Sequence, residues 1–135
     1  MVVVDASAVV AALVDSGQEG RWAESIIADG GVAAPELMLV ETTNVLRRLE
    51  HTRDISTLEA TSAHRDLLQL DFDLFEFNPF AQRIWDLRSN LTSHDAWYVA
   101  VAEALDCPLA TLDGKLSRVN GPSCEFVLPP SVVNP

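Results

Sequence analysis

The chain has 135 residues, 48% of them hydrophobic and 21% charged, which is enough to bury the core of one domain. Twenty acidic residues against nine Lys and Arg give a formal net charge of −11, which excludes a protein that coats nucleic acid electrostatically. No apolar stretch approaches the ~20 residues of a membrane span, so we expect a cytoplasmic protein. Cys107 and Cys124 match no metal-binding spacing and are predicted to be reduced thiols.

The first half of the chain alternates short apolar runs with amphipathic segments. Val2-Val3-Val4 is a β-branched run that suits a strand buried on both faces. Gly30-Gly31 is suited to end a helix, and Pro35 to open the next one at its first turn. These patterns predict strands at 2–4 and 32–34 and helices at 8–13, 18–29, 36–50 and 56–70.

The second half continues the same alternation. A strongly apolar helix is predicted from Thr92 to Leu105, and Asn90 is suited to end the helix before it. The remaining predicted elements are a helix at 80–89 and strands at 71–77, 108–111 and 125–128. Short apolar strands that alternate with helices indicate an α/β fold with a mostly parallel central sheet of four to five strands, flanked by helices. We expect residues 1–135 to form a single domain.

Four acidic residues that lie far apart in the sequence are predicted to meet at one edge of this sheet. Asp5 ends the first strand, and Asp113 follows the strand at 108–111. Glu41 lies in the second turn of one helix and Asp95 in the first turn of another. The carboxyl ends of parallel strands and the amino ends of the following helices share one edge, where ligands bind. We therefore expect the four side chains to converge there.

Each acid also has a structural interpretation. Asp5 and Asp95 are suited to helix capping, and Asp113 belongs to an Asp-Gly turn dipeptide. The neighbours of Glu41 and Asp95 favour a functional site instead. Neither acid has a Lys or Arg three or four residues away on its helix, and a carboxylate on an apolar helix face is costly without a compensating charge.

Clustered carboxylates repel one another, which raises their pKa values unless a cation neutralises them. Hard oxygen ligands suit Mg²⁺ or Mn²⁺, so the four acids predict a site for one or two of these ions. Such an ion lowers the pKa of a bound water and stabilises charge on a phosphodiester. Ser7 and Thr111 are placed to hydrogen-bond the carboxylates or their waters, and Asn44 lies beside Glu41.

Four sequence blocks in this order and spacing carry a family resemblance: Val4 to Ala8, Glu41 to Arg48, Leu91 to Glu103, and Leu109 to Leu116. With them, nearly the whole chain resembles the PIN-domain family, and most of all the VapC-type toxins of bacterial type II toxin–antitoxin pairs. The resemblance implies a PIN-like three-layer fold and an endoribonuclease that depends on Mg²⁺ or Mn²⁺. It also implies a homodimer, a cognate antitoxin protein that blocks the active site, and a metal-binding catalytic quartet of Asp5, Glu41, Asp95 and Asp113.

The implied RNA substrate makes two cations candidate phosphate contacts. Arg48 lies seven residues after Glu41 on the same helix face, and Lys115 follows Asp113 by two residues. A surface position in contact with solvent is the alternative interpretation for both side chains.

Two other classes of protein were considered beside the nuclease. A phosphoryl-accepting signalling module would need an acidic pair after the first strand and an Asp after the middle strand, and only Asp5 fits. A haloacid-dehalogenase-like phosphatase would need Asp-x-Asp, where this chain has Asp5-Ala6-Ser7. A catalytically silent α/β binding module with a Mg²⁺ site stays open, because it would keep all four acids and lose only substrate access.

Overall fold

A computed structural model of the chain describes residues 1–133, in which five strands form one sheet. All strand pairs in it are parallel, and the strand order is β3-β2-β1-β4-β5. This confirms the predicted α/β fold with a parallel sheet of four to five strands. The strands are β1 (Val2–Val4), β2 (Val32–Pro35), β3 (Phe72–Phe75), β4 (Leu109–Ala110) and β5 (Phe126–Val127).

Helices flank the sheet, as the three-layer fold requires. The α6 helix packs directly on β1, β2 and β4, whereas α1, α3 and α4 pack on one another, with α2 against α1. Within residues 1–133, none of the helices is both long and apolar enough to cross a membrane. The helices in this part of the chain are α1 (Ala6–Val14), α2 (Gln18–Ala28), α3 (Leu37–His51), α4 (Thr57–Gln69), α5 (Ala81–Asp86), α6 (Ser93–Leu105) and α7 (Pro130–Val133).

Three local features differ from the sequence prediction. Pro35 is the last residue of β2, paired with Phe75, and does not open α3. The pairing of β2 with β1 runs only to Ala33, so a proline at the end of β2 is tolerated despite its missing N–H. The predicted helix at 80–89 is shorter, because it ends at Asp86 and the chain continues in turns. The short α7 was not predicted.

The central strand determines where a ligand site can form. Val3 and Val4 are fully buried, and Val3 pairs with Ala33 on one side and Leu109 on the other. The chain builds the sheet outward from β1 in two directions, with β2 and β3 on one side and β4 and β5 on the other. The connections on the two sides therefore lead apart and leave a crevice at the carboxyl ends of β1 and β4. Asp5 immediately follows β1 and lies at this crevice.

The α1–α2 corner depends on a glycine. Gly20 is buried inside α2, and a Cβ atom there would lie 1.8 Å from the carbonyl oxygen of Asp15 and 2.9 Å from that of Ala11. Because both atoms belong to the backbone, a side chain at this position forces the two helices apart.

We predict that Gly20→Ala lowers the free energy of unfolding by about 1–3 kcal/mol, because the packing conflict outweighs the benefit of alanine in a helix, about 1 kcal/mol. The measurement is urea denaturation. Glu24→Ala, at an exposed position of the same helix, serves as the control and is expected to change the free energy by less than ~0.5 kcal/mol. A stabilised Gly20→Ala protein would contradict the close packing of the two helices.

Candidate active site

The Asp5 carboxylate is hydrogen-bonded both to the start of α1 and to the residue that follows β4. Its Oδ1 atom accepts hydrogen bonds from the Ser7 hydroxyl and from the Ala8 backbone N–H, the latter at 3.1 Å, so Asp5 caps α1 as one interpretation of the sequence expected. Its Oδ2 atom accepts a hydrogen bond from the hydroxyl of Thr111, which follows β4. Asp5 is therefore both a helix cap and part of the crevice.

A chain of hydrogen bonds continues from Asp5 into the loop after β4. The Leu112 backbone N–H donates to the Ser7 hydroxyl at 3.1 Å, and the Asp113 N–H donates to the Thr111 hydroxyl at 3.0 Å. The Asp113 carboxylate in turn accepts from the Lys115 N–H at 2.9 Å, which closes the expected Asp-Gly turn. These bonds fix the loop so that Asp113 lies beside the end of β1.

Glu41 is held from a different helix. The Tyr98 hydroxyl of α6 donates to Glu41 Oε1 of α3 at 2.6 Å. Tyr98 is only 2% exposed, and burial together with this hydrogen bond raises its pKa well above the usual range, so the hydroxyl keeps its proton and remains the donor. The sequence analysis did not predict this contact. The available signal was that a buried tyrosine hydroxyl usually needs a hydrogen-bond partner.

Asp95 lies between the other acids. It occupies the first turn of α6, where its backbone N–H donates to the Thr92 hydroxyl at 3.2 Å, as in a helix cap. Burial raises the pKa of Asp95, and the negative charges of Asp113 and Glu41 raise it further. Burial also raises the pKa of Asp5, with a contribution from Asp95, although three hydrogen bonds oppose the rise.

The described residues hold the acids near one another without forming a complete ligand set. Within residues 1–133, no group of three or more carboxylate, imidazole or thiol side chains is arranged to hold a metal ion. In the same range the ion pair joins Arg83 to Glu103, and none of the four acids takes part in one. Residues 1–133 therefore provide no ion-pair partner for the negative charges of the cluster, and at Asp95 the neighbouring His94 offsets them only in part.

The outer candidate residues lie differently. Asn44 is exposed on α3, where it lines a shallow, largely apolar cavity of about 370 Å³ together with Arg47. The side chains of Arg48 and Lys115 are exposed, and the hydrogen bonds found in residues 1–133 do not connect either side chain to an acid. Ser7 and Thr111 therefore belong to the hydrogen-bonded centre, whereas Asn44, Arg48 and Lys115 are exposed and, in residues 1–133, their side chains make no hydrogen bond to it.

Comparison with known proteins identifies the family of the chain. The family model of the PIN domain matches residues 2–122. Ribonuclease VapC9 of Mycobacterium tuberculosis is 36% identical over 130 residues, which cover 96% of this chain and 99% of the relative. The chain belongs to the PIN-domain family. Within the family, its relatives include VapC ribonucleases, as the sequence resemblance predicted.

Two solved structures share the PIN fold of this chain. The toxin VapC20 of Mycobacterium tuberculosis, described as cleaving the sarcin-ricin loop, superposes with a TM-score of 0.65 at 18% identity, covering 87% of this chain and 93% of that one. VapBC2 from Rickettsia felis, solved with a DNA fragment from its promoter, gives a TM-score of 0.67 at 14% identity, covering 95% and 98%. At these identities, the likeness is evidence for the fold alone.

For this PIN domain we predict that Asp95→Asn removes part of the pH dependence of stability in the presence of chelator. A raised pKa means that the folded chain binds more protons than the unfolded chain, so wild-type stability falls as the pH rises above the ordinary value of 3.8. The advantage of the variant over wild type should thus be absent at low pH and grow toward neutral pH. The measurement is urea denaturation between about pH 4 and pH 7 in EDTA.

Asp29→Asn is the matched control, because Asp29 is exposed at the end of α2, near the amino ends of the strands. The comparison of the two variants tests whether the pH-dependent advantage is specific to the acid cluster. An Asp95→Asn protein that is less stable than wild type at neutral pH in EDTA would show that helix capping outweighs charge repulsion at this position.

Proposed function

We propose that this chain is an endoribonuclease that requires Mg²⁺ or Mn²⁺ and serves as the toxin of a toxin–antitoxin system. The observation that carries the proposal is the hydrogen-bonded crevice at the carboxyl ends of β1 and β4, in which Ser7 and Thr111 link Asp5 to the loop that carries Asp113. Burial raises the pKa values of Asp5 and Asp95 there, and neighbouring carboxylates raise them further. Family membership supports the proposal, because the relative VapC9 is named a ribonuclease and is similar over nearly its whole length. The proposed metal-binding and catalytic residues are Asp5, Glu41, Asp95 and Asp113.

The chemistry of these side chains fits a hard divalent cation. Carboxylate oxygens backed by hydroxyl groups are the ligands that Mg²⁺ and Mn²⁺ prefer. Asp5, Asp95 and Asp113 would hold one or two such ions, with Glu41 completing the negative lining. When bound, the ion lowers the pKa of a water molecule and stabilises negative charge on a phosphodiester and its leaving oxygen.

The chain's own contribution is orientation. The hydroxyls of Ser7 and Thr111 engage different oxygens of Asp5, so this carboxylate cannot rotate freely. Tyr98 fixes Glu41 in a similar way, because its hydroxyl donates to one oxygen of that carboxylate. Oriented carboxylates lose less freedom when they bind a cation, which is the role that surrounding hydrogen bonds play at metal centres.

Because the chain has a formal net charge of −11, it has to bind RNA through individual basic side chains and not through its overall charge. We propose that Arg48 and Lys115, both exposed, contact phosphates, and that the exposed Asn44 belongs to the same RNA-binding surface. Single-stranded or looped RNA in the cytoplasm is the expected substrate, because its bases are accessible. We also propose a homodimer and a cognate antitoxin that covers the acids. The shared fold with VapBC2 supports the antitoxin.

We predict that Asp5→Asn, Asp95→Asn and Asp113→Asn each reduce RNA cleavage by about 100-fold or more, because each removes a ligand and not merely its support. The measurement is cleavage of a structured RNA pool in Mg²⁺, in Mn²⁺ and in EDTA. Wild type and the control Asp29→Asn should cleave with either ion and stop in EDTA. Equal cleavage by wild type and the site variants would point to a contaminating nuclease, and no cleavage by a folded, antitoxin-free wild type would favour the silent binding module.

We predict that Arg48→Ala weakens RNA binding. The slope of the logarithm of the binding constant against the logarithm of the salt concentration should become shallower by about one, the effect of losing one phosphate contact. Binding is measured in EDTA, so that cleavage does not interfere. Arg65→Ala, which removes an exposed arginine from α4, is the matched control and should leave the slope unchanged. An identical slope for Arg48→Ala and wild type would remove Arg48 from the interface.

A further inference from the structure

A second cavity lies at the opposite end of β4 from the acids and contains both thiols of the chain. It has a volume of about 310 Å³, and both Cys107 and Cys124 line it, beside Glu103 and Ser123. The two thiols are free and partly buried. Nothing in the proposed nuclease mechanism uses this cavity, so its pair of cysteines needs an explanation of its own.

The two cysteines precede neighbouring parallel strands by the same number of residues. Leu109 of β4 pairs with Phe126 of β5, and Cys107 and Cys124 each stand two residues before these partners. The Leu109 N–H donates to the Glu125 carbonyl at 2.9 Å, so the hydrogen bonds between the two strands begin at this point, whereas the Cys107 N–H donates to the Ala102 carbonyl of α6. Both thiols therefore reach the same cavity from segments just outside the strands.

The spacing of adjacent strands suits a disulfide between these two segments. Neighbouring strands lie about 4.8 Å apart, and a disulfide needs a Cα–Cα distance of about 4.4–6.8 Å. The surrounding backbone is held independently of the thiols, because Glu103 is bonded to Arg83 at 2.7 Å and to the Ser123 N–H at 2.7 Å. A bridge would therefore join two segments whose neighbours are already held together.

We propose that Cys107 and Cys124 are an oxidant-sensitive pair that forms an intramolecular disulfide when the chain meets a peroxide. The thiolate of one cysteine attacks the peroxide oxygen, giving a sulfenic acid and one water. The second thiolate then attacks the sulfenic sulfur and releases a second water, so two thiols and one peroxide become one disulfide and two waters. Two electrons pass from the sulfurs to the peroxide.

The order of attack follows from the surroundings of the thiols. Burial raises the pKa of both, to about 11 for Cys124, whereas the positive amino terminus and the Val3 backbone partly oppose the rise at Cys107. Cys107 therefore reacts first, and Cys124 resolves the sulfenic acid. The bridge closes the segment 107–124, which carries Thr111 and Asp113, and ties the edge strand β5 to β4.

The test is mild peroxide treatment of the reduced full-length protein at low concentration, followed by alkylation of the remaining thiols and tryptic mapping. Cleavage after Lys115 and Arg118 separates the two cysteines, so a bridge joins peptide 89–115 to peptide 119–135. We expect this joined peptide from the monomeric band of a non-reducing gel. Thermal unfolding of the oxidised protein should shift upward by about 5–10 °C, and dithiothreitol should reverse the shift.

Cys107→Ser and Cys124→Ser are the matched controls, each first checked for an unchanged melting temperature under reducing conditions. Neither should gain thermal stability with peroxide, and Cys107→Ser should also oxidise more slowly at the remaining thiol. Mapping of the wild type alone decides the proposal if a variant does not fold. Separate sulfinic acids, bridges only between chains, or a bridged monomer that melts at a lower temperature would overturn it.

Discussion

The structure depends on placing one carboxylate, Asp5, at the point where the sheet changes direction. Asp5 caps α1 on one side and accepts the Thr111 hydroxyl on the other, so it ties β1 to the loop after β4. The same position is partly buried and feels the charge of Asp95, which raises the pKa of Asp5. Hydrogen bonds keep the group in place while burial and repulsion oppose its charge, a conflict that a bound cation would relieve.

The remaining site residues reflect the same balance. The side chains of Tyr98 and Thr111 are buried, and their hydroxyls donate to Glu41 and Asp5. These hydrogen bonds hold in place carboxylates that repel one another. Holding the carboxylates in fixed positions costs stability while no cation is bound. It would also lower the conformational entropy lost when a cation binds. The apolar α6 helix makes this tolerable, because its packing on β1, β2 and β4 supplies a rigid support for Asp95 and Tyr98.

Local patterns predicted most of the strands and helices, with the exceptions of Pro35, the end of α5 and the short α7. The roles of the four acids stay a prediction. Val2-Val3-Val4 followed by Asp5 indicates a buried strand with a carboxylate at its end, and parallel topology places Asp113 at the same edge. Local patterns could not predict contacts that depend on how two helices are rotated against each other. The hydrogen bond from Tyr98 of α6 to Glu41 of α3 is such a contact. The end of α5 at Asp86 and the cavity shared by Cys107 and Cys124 likewise follow from tertiary packing, which no short pattern encodes.

The most direct test of the account is anomalous diffraction from crystals of the protein grown with Mn²⁺. We predict a strong manganese peak in the crevice at the carboxyl ends of β1 and β4, with carboxylate oxygens of Asp5, Asp95 and Asp113 about 2 Å away. Small movements of these side chains toward the ion are expected. A manganese peak elsewhere, or none at saturating Mn²⁺ with the four acids unobstructed, would contradict the claim that their shared charge is built to hold a cation.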